Sequence, residues 1–279
     1  MVLLVFKQAI YGLNVYSGLF VYISIKMKTI LRPFRFLYCC YALFVFALLT
    51  MISLLTMLIT LPLGEKNLTR RIYKIARYFS KALYLFLGMR HKEIYEGKHH
   101  FDRPHVFVGN HNSYMDIPPI VRLKHQPIRP LGKFESSKIP LFGLFYRHAV
   151  ILVDRSNPEK RAESLRNLKE ALRQKISIFI FPEGTFSMTE DQPLKSFYNG
   201  AFKLAIEMQV PIQPVLMVDA VDRMHFTSIF SLSPGRNRVV YLPTVYVDNY
   251  TIDDLELLKE QVYQMMDAGL RRYRNYPAS

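Results

Sequence analysis

The segment Asn110-His111-Asn112-Ser113-Tyr114-Met115-Asp116 holds the residues best suited to chemistry. A histidine can take a proton near neutral pH, and an aspartate on one ring nitrogen leaves the other free to do so. That pairing makes a general base for an alcohol. In a continuous helix, residues five positions apart point about 140° away from each other. His111 and Asp116 therefore meet only if the histidine sits in a loop and the aspartate starts the next helix. The flanks suit that arrangement. A strand-like Val106–Val108 precedes the segment, and Ile117-Pro118-Pro119 follows it, with prolines tolerated in a first helical turn. Spacing alone equally allows Asp116 to be a helix cap and His111 a polar loop residue.

Three further segments place reactive or gripping groups at the ends of apolar runs. Phe181-Pro182-Glu183-Gly184-Thr185 closes the strand-like Ile176–Phe181. Gly184 can adopt positive φ and let the backbone approach a phosphate or glycerol oxygen. Glu183 would repel a phosphate unless a cation neutralises it, and a plain turn after a strand fits the same residues. Val150–Val153 runs into Asp154-Arg155. An arginine there can grip phosphate with two parallel hydrogen bonds, or cap the sheet edge. Val210-Pro211-Ile212-Gln213-Pro214-Val215 carries two prolines in an apolar run, which predicts an edge strand or an irregular wall.

These segments need a scaffold. Val106–Val108, Val150–Val153, Ile176–Phe181, Ile212–Val218 and Val239–Leu242 read as strands. Pro158–Gln174 reads as a helix with the capping box Ser156-Asn157-Pro158-Glu159 and the stripe Ala162, Leu165, Leu168 and Leu172. Gly200–Met208 and Asp253–Arg272 read as further helices. Strands alternating with helices predict an α/β domain with a mixed, mostly covered sheet and flanking helices, over residues 91–279.

Residues 1–90 have a different texture. No charge occurs from Phe36 to Gly64, long enough to span a bilayer, which takes about 20 apolar residues, or to enter and turn back. Lys26, Lys28, Arg32 and Arg35 precede the run, and Lys66, Arg70, Arg71, Lys74, Arg77 and Lys81 follow it. Basic residues on both sides fit a simple span and a one-leaflet hairpin alike. Residues 68–89 read as an amphipathic helix, with Ile72, Ile75, Ala76, Phe79, Leu83 and Phe86 on one stripe. That helix suits a lipid interface or the core of the next domain. Residues 1–25 are apolar apart from Lys7 and read as a second membrane segment; alternatively, Met27 and the basic residues after it resemble a chain start, with 1–26 as an upstream extension.

The chain has 279 residues, half of them hydrophobic, and a formal charge of +15. A greasy, basic protein points to an anionic membrane surface or an acidic partner. Nucleic acid is the poorer partner, since no zinc-finger spacing, RNA-binding signature or long basic run is present. The two cysteines, Cys39 and Cys40, lie together in the apolar run, which excludes a disulfide framework and a cysteine zinc site.

Together the four segments resemble the glycerolipid acyltransferase family, whose best-known member makes phosphatidic acid from lysophosphatidic acid. His111 through Asp116, Val150 to Arg155, Phe181 to Ser187 and Val210 to Val215 stand in the family's order and spacing, over roughly residues 70–220. The resemblance implies acyl transfer from acyl-CoA or acyl carrier protein, as donor substrate rather than cofactor, to the sn-2 hydroxyl of lysophosphatidic acid. It implies His111 as base, Asp116 as its orienting partner, and Arg155, Glu183, Gly184 and Thr185 in the acceptor pocket. Lys133-x-Glu135 followed by Pro140 and Gly143 fits a smaller family pattern, which makes Lys133 a second candidate for the phosphate. No metal is implied. The expected location is the bacterial inner membrane, with the catalytic domain on the cytoplasmic face.

Three positions depart from the family pattern. Phe186 stands where arginine is common, Ala149 where glycine is common and Tyr198 where lysine is common. The first bears on the acceptor: Lys195, Lys203 or Arg155 would have to supply the missing charge. Glycerol 3-phosphate, another lysophospholipid and an amino-acid lipid are the alternative acceptors. A non-enzymatic membrane-binding protein on this scaffold is the remaining alternative, and an intact His111 and Asp116 argue against it. A serine nucleophile at Ser113 lacks the Gly-x-Ser-x-Gly elbow.

Overall fold

The computed structural model describes residues 33–63, 68–122, 127–154, 157–186 and 192–274. Seven strands form one sheet: β1 (Met89–Tyr95), β2 (Val106–Gly109), β3 (Ile128–Lys133), β4 (Ile151–Val153), β5 (Ser177–Ile180), β6 (Ile212–Met217) and β7 (Gly235–Tyr241). Their order across the sheet is β1-β7-β6-β2-β5-β3-β4. All neighbours are parallel except β6 and β7. Five adjacent strands therefore end on one edge, with β2 beside β5 near the middle. In such sheets ligands bind outside the carboxyl ends of the strands.

Among the described residues, eight helices accompany the sheet: α1 (Pro33–Thr60), α2 (Leu68–Phe86), α3 (Ile117–Ile120), α4 (Phe142–Ala149), α5 (Pro158–Arg173), α6 (Gly200–Met208), α7 (Ala220–Arg223) and α8 (Leu255–Arg274). Strand side chains alternate between faces. Val106, Val108, Ile178 and Ile180 pack with Leu168 and Leu172 of α5, Phe202 of α6 and Val262 and Met266 of α8. Phe107, Phe179, Val215 and Tyr241 point the other way, into a cluster with Cys39, Ala42, Val45 and Leu49 of α1 and Leu83 and Tyr84 of α2. Helices thus cover both faces, as the strand–helix alternation predicts.

The expected boundary at residue 90 falls inside β1, and the α1 and α2 side chains share a cluster with the sheet. That division does not separate two cores. Along α1, one stripe is buried in this way, while Phe44, Leu48, Leu55 and Ile59 are exposed. Contiguous apolar surface of this kind marks a contact with lipid or protein. Along α2, Ile72, Ala76 and Leu83 are buried as expected, but Phe86 is exposed and Ser80 and Tyr84 take buried places. The expected membrane segment in residues 1–25 lies outside the described residues.

Several local expectations change. The N-cap of α5 is Asn157, whose side chain accepts from Lys160 N at 2.8 Å, one residue later than the expected box. β6 is a central strand, not an edge, despite Pro211 and Pro214. Pro214 has no N–H to donate, and Leu242 O on the neighbouring segment instead takes the side-chain amide of Gln213 at 2.6 Å. A glutamine beside the proline thus repairs the ladder. β1 and β3 were not expected. β1 is a charged edge strand, and β3 carries Pro130 and Gly132.

Gly143, in the first turn of α4, lies against the main chain of Ser137. A Cβ there would meet the Ser137 carbonyl, which cannot swing away as a side-chain tip could. Gly143→Ala is expected to cost about 1–3 kcal/mol through overpacking. Thermal melting in detergent checks this, and an unchanged or raised midpoint would contradict it.

Candidate active site

The loop after β2 carries the histidine–aspartate pair. Ser113 caps a single 3-10 turn, Tyr114–Asp116, its hydroxyl accepting from Met115 N at 3.0 Å. Asp116 is the third residue of that turn and its carboxylate reaches back to Ser113 N at 2.8 Å, completing a capping box. The same oxygen, Oδ2, accepts from Asn112 N at 2.7 Å and lies 3.0 Å from His111 Nδ1. The chain doubles back, so residues that a helix would send to different faces come into contact. Asp116 is both a cap and the partner of His111.

Asp116 is fully buried. Burial raises its carboxyl above the ordinary carboxylate range, while the imidazole and two backbone N–H groups pull the other way. With Nδ1 on the carboxylate, Nε2 is the ring nitrogen left for a substrate. The ring is clamped flat. Phe181 stacks on it at 3.9 Å and 14°, and Phe186 packs against it at 4.3 Å. Phe186 also touches Tyr114 and Phe226, at 4.9 and 5.6 Å between ring centres. An aromatic cluster thus surrounds the imidazole where the family pattern often has an arginine.

The turn after β5 brings Glu183 under the same loop. Gly184 adopts φ +70, the positive value expected of it, and its N–H returns to Phe181 O at 3.1 Å. Thr185 beside it is exposed. Glu183 is 2% exposed, and its oxygens accept from His111 N and Lys195 N, both at 2.9 Å. Burial pushes its carboxyl up to about 7, with the nearby Asp116 adding to the rise and the two N–H donors opposing it.

Lys133 lies at the carboxyl end of β3, exposed, on the same sheet edge but separated from β2 by β5. Arg155 lies outside the described residues. Lys195 donates its ammonium to Phe186 O at 2.7 Å, which puts a cation beside the aromatic cluster. Among the described residues, no group of three or more His, Cys, Asp or Glu side chains is placed to hold a metal.

Four supporting residues were not expected. Asn110 uses both ends of its amide on Met217, donating to the carbonyl at 3.2 Å and accepting from the N–H at 2.7 Å. It continues the β2–β6 pairing past the strand end and fixes where His111 begins. Ser113 Oγ donates to Met224 O at 2.5 Å. Asn237 on β7 donates to Met115 O at 3.3 Å and to Tyr84 Oη at 2.6 Å. The only sequence signal for Asn110 was its place directly after a strand; the partners of Tyr84 and Asn237 are too distant along the chain to be read.

Glu183 binds a proton more tightly in the folded protein than in the unfolded chain, where its ordinary value is 4.5. The stability it contributes is therefore greatest at low pH and is lost as the pH rises through about 7. Glu183→Gln cannot titrate, so the melting-temperature advantage of the wild type over this variant is expected to shrink from pH 5 to pH 8. A pH-independent difference would sink this assignment.

The family model described as acyltransferase matches residues 92–218. The 1-acyl-sn-glycerol-3-phosphate acyltransferase alpha of Mus musculus is 30% identical over 207 residues, 73% of this chain and 70% of that protein. The 1-acyl-sn-glycerol-3-phosphate acyltransferase of Saccharomyces cerevisiae is 27% identical over 218 residues, 77% of this chain and 71% of that one. Among solved structures, the 1-acyl-sn-glycerophosphate (LPA) acyltransferase PlsC from Thermotoga maritima shares the fold, with a TM-score of 0.70 over 89% of this chain and 100% of that one at 21% identity. On the length and identity of these matches, the chain belongs to the acyltransferase family.

Proposed function

We propose that this protein transfers a fatty acyl group from a thioester, acyl-CoA or acyl carrier protein, to the sn-2 hydroxyl of lysophosphatidic acid, giving phosphatidic acid. The observation that carries the reading is the His111 Nδ1–Asp116 Oδ2 contact at 3.0 Å, beside the carboxyl edge of the sheet. The names of the relatives support the acceptor and the product.

His111 Nε2 takes the hydroxyl proton as the oxygen attacks the thioester carbonyl. Asp116 stabilises the imidazolium that forms. The carbon–sulfur bond then breaks, and the proton passes from His111 to the departing thiolate. The chemistry uses no metal or bound cofactor. Lys133, Arg155, Gly184 and Thr185 are the acceptor-side candidates, and Lys195 joins them through its place beside Phe186.

The substrate is a lipid, and the exposed apolar side of α1 suits a membrane. The location in this reading is the bacterial inner membrane with the catalytic domain on the cytoplasmic face. The basic residues after the apolar run suit a cytoplasmic catalytic domain, while those before it leave a span and a one-leaflet hairpin both open. The chain's +15 charge suits an acidic carrier protein as well as coenzyme A.

A second reading keeps the reaction and changes the acceptor to another lysolipid. Phe186 favours it, because an aromatic ring at 4.3 Å from the His111 ring offers no charge to a phosphate.

Membranes containing wild type or His111→Ala, given labelled lysophosphatidic acid with each donor, test the proposal. A loss of about 10²–10⁴-fold is expected on removing a general base. Undiminished activity in the variant would refute the mechanism. A wild type inactive on this acceptor but active on another lysolipid would select the second reading.

A further inference from the structure

Glu183 belongs by resemblance to the acceptor pocket, yet its surroundings give it different work. Both of its oxygens are taken by main-chain donors, His111 N 72 residues earlier and Lys195 N 12 residues later. Its 2% exposure leaves no open side for a substrate hydroxyl or phosphate. Lys195 then turns its ammonium onto Phe186 O at 2.7 Å, and the Phe186 ring packs on the His111 ring at 4.3 Å. The contacts close a ring, from His111 through Glu183, Lys195 and Phe186 back to His111.

A carboxylate suits this place for a specific reason. Ionised, above about pH 7, it offers an acceptor at each oxygen, whereas a glutamine offers one oxygen and an NH2 that would face the second N–H. An aspartate is one methylene too short to span both donors.

We propose that Glu183 is a positioning residue: its carboxylate ties the His111 main chain to that of Lys195 and so sets the imidazole against the Gly184–Phe186 turn, without touching the acceptor. This rests on His111 acting as the base in acyl transfer to a lysolipid. A shift of about 1 Å at a reacting group can cost about 100-fold in rate, which is the scale on which a lost anchor is felt.

Steady-state kinetics of Glu183→Gln on lysophosphatidic acid, with the donor preferred by the wild type, provide the test. A fall in kcat of about 10–100-fold is expected, with the acceptor KM within about twofold of wild type. A raised KM with kcat retained would make Glu183 an acceptor ligand and overturn the proposal. Unchanged kcat and KM would overturn it too.

Hydrogen exchange on the same protein gives a second reading that does not depend on catalysis. The peptide around His111 is expected to lose protection while α8 keeps its own, and unaltered protection at His111 would count against the anchor. Should Glu183→Gln lose protection throughout, Glu183→Asp takes its place, with the same expected outcomes. A His111→Ala enzyme as active as wild type would remove the base reading, while the exchange result would still judge the anchor.

Discussion

One buried oxygen organises the site. Asp116 Oδ2 lies within hydrogen-bond distance of three N–H groups, those of the His111 ring and of the Asn112 and Ser113 main chain. Burying a carboxylate is expensive, and the donors on Oδ2 offset that only in part, since Oδ1 is buried without a hydrogen-bond partner and burial still raises the carboxyl above its ordinary range. Because the donors come from consecutive residues, satisfying the acid also dictates the path of the loop. That path selects the Nδ1 tautomer and the direction in which Nε2 faces. The remaining supports hold the loop as a unit, through Asn110 to Met217, Ser113 to Met224 and Asn237 to Met115.

The sheet explains why the acids converge. β2 and β5 are parallel neighbours, so the loops leaving them emerge side by side. His111 and Glu183 follow those strands by two and three residues. Packing beneath them is tight. A Cβ on Gly109 would lie 2.5 Å from the tip of the buried Phe179 ring, so any larger last residue of β2 would have to displace that ring. Two carboxyl groups under one loop also feel each other, and Asp116 contributes to the high proton affinity of Glu183.

The legible parts of this molecule are those whose causes are local. β2 and β5 are continuous apolar runs, α6 and α8 have helical stripes, and the prolines after Asp116 announce a helix start. The histidine–aspartate contact was readable as a possibility because the loop between them is short. What escaped reading depends on partners far along the chain. The resemblance puts Glu183 in the acceptor pocket, and nothing nearby in the sequence reveals that its oxygens face His111 N and Lys195 N. Pro214 looked like an edge marker because the compensating amide of Gln213 acts through Leu242, in the segment after β7. β1 was hidden by its charges, which an edge strand can carry to solvent.

The apolar helix α1 has a dual allegiance. Cys39, Ala42, Val45 and Leu49 belong to the cluster that also holds Phe107 under the sheet and Met115 in the loop after β2. The helix with the exposed apolar side is therefore also a wall of the enzyme. It cannot be trimmed away as a detachable tether to yield a water-soluble catalyst, because its removal would strip apolar cover from Met115, the residue next to Asp116. Loss of α1 would uncover the loop that holds Asp116 as well as one face of the sheet, and what remained would be a damaged protein, not a smaller one.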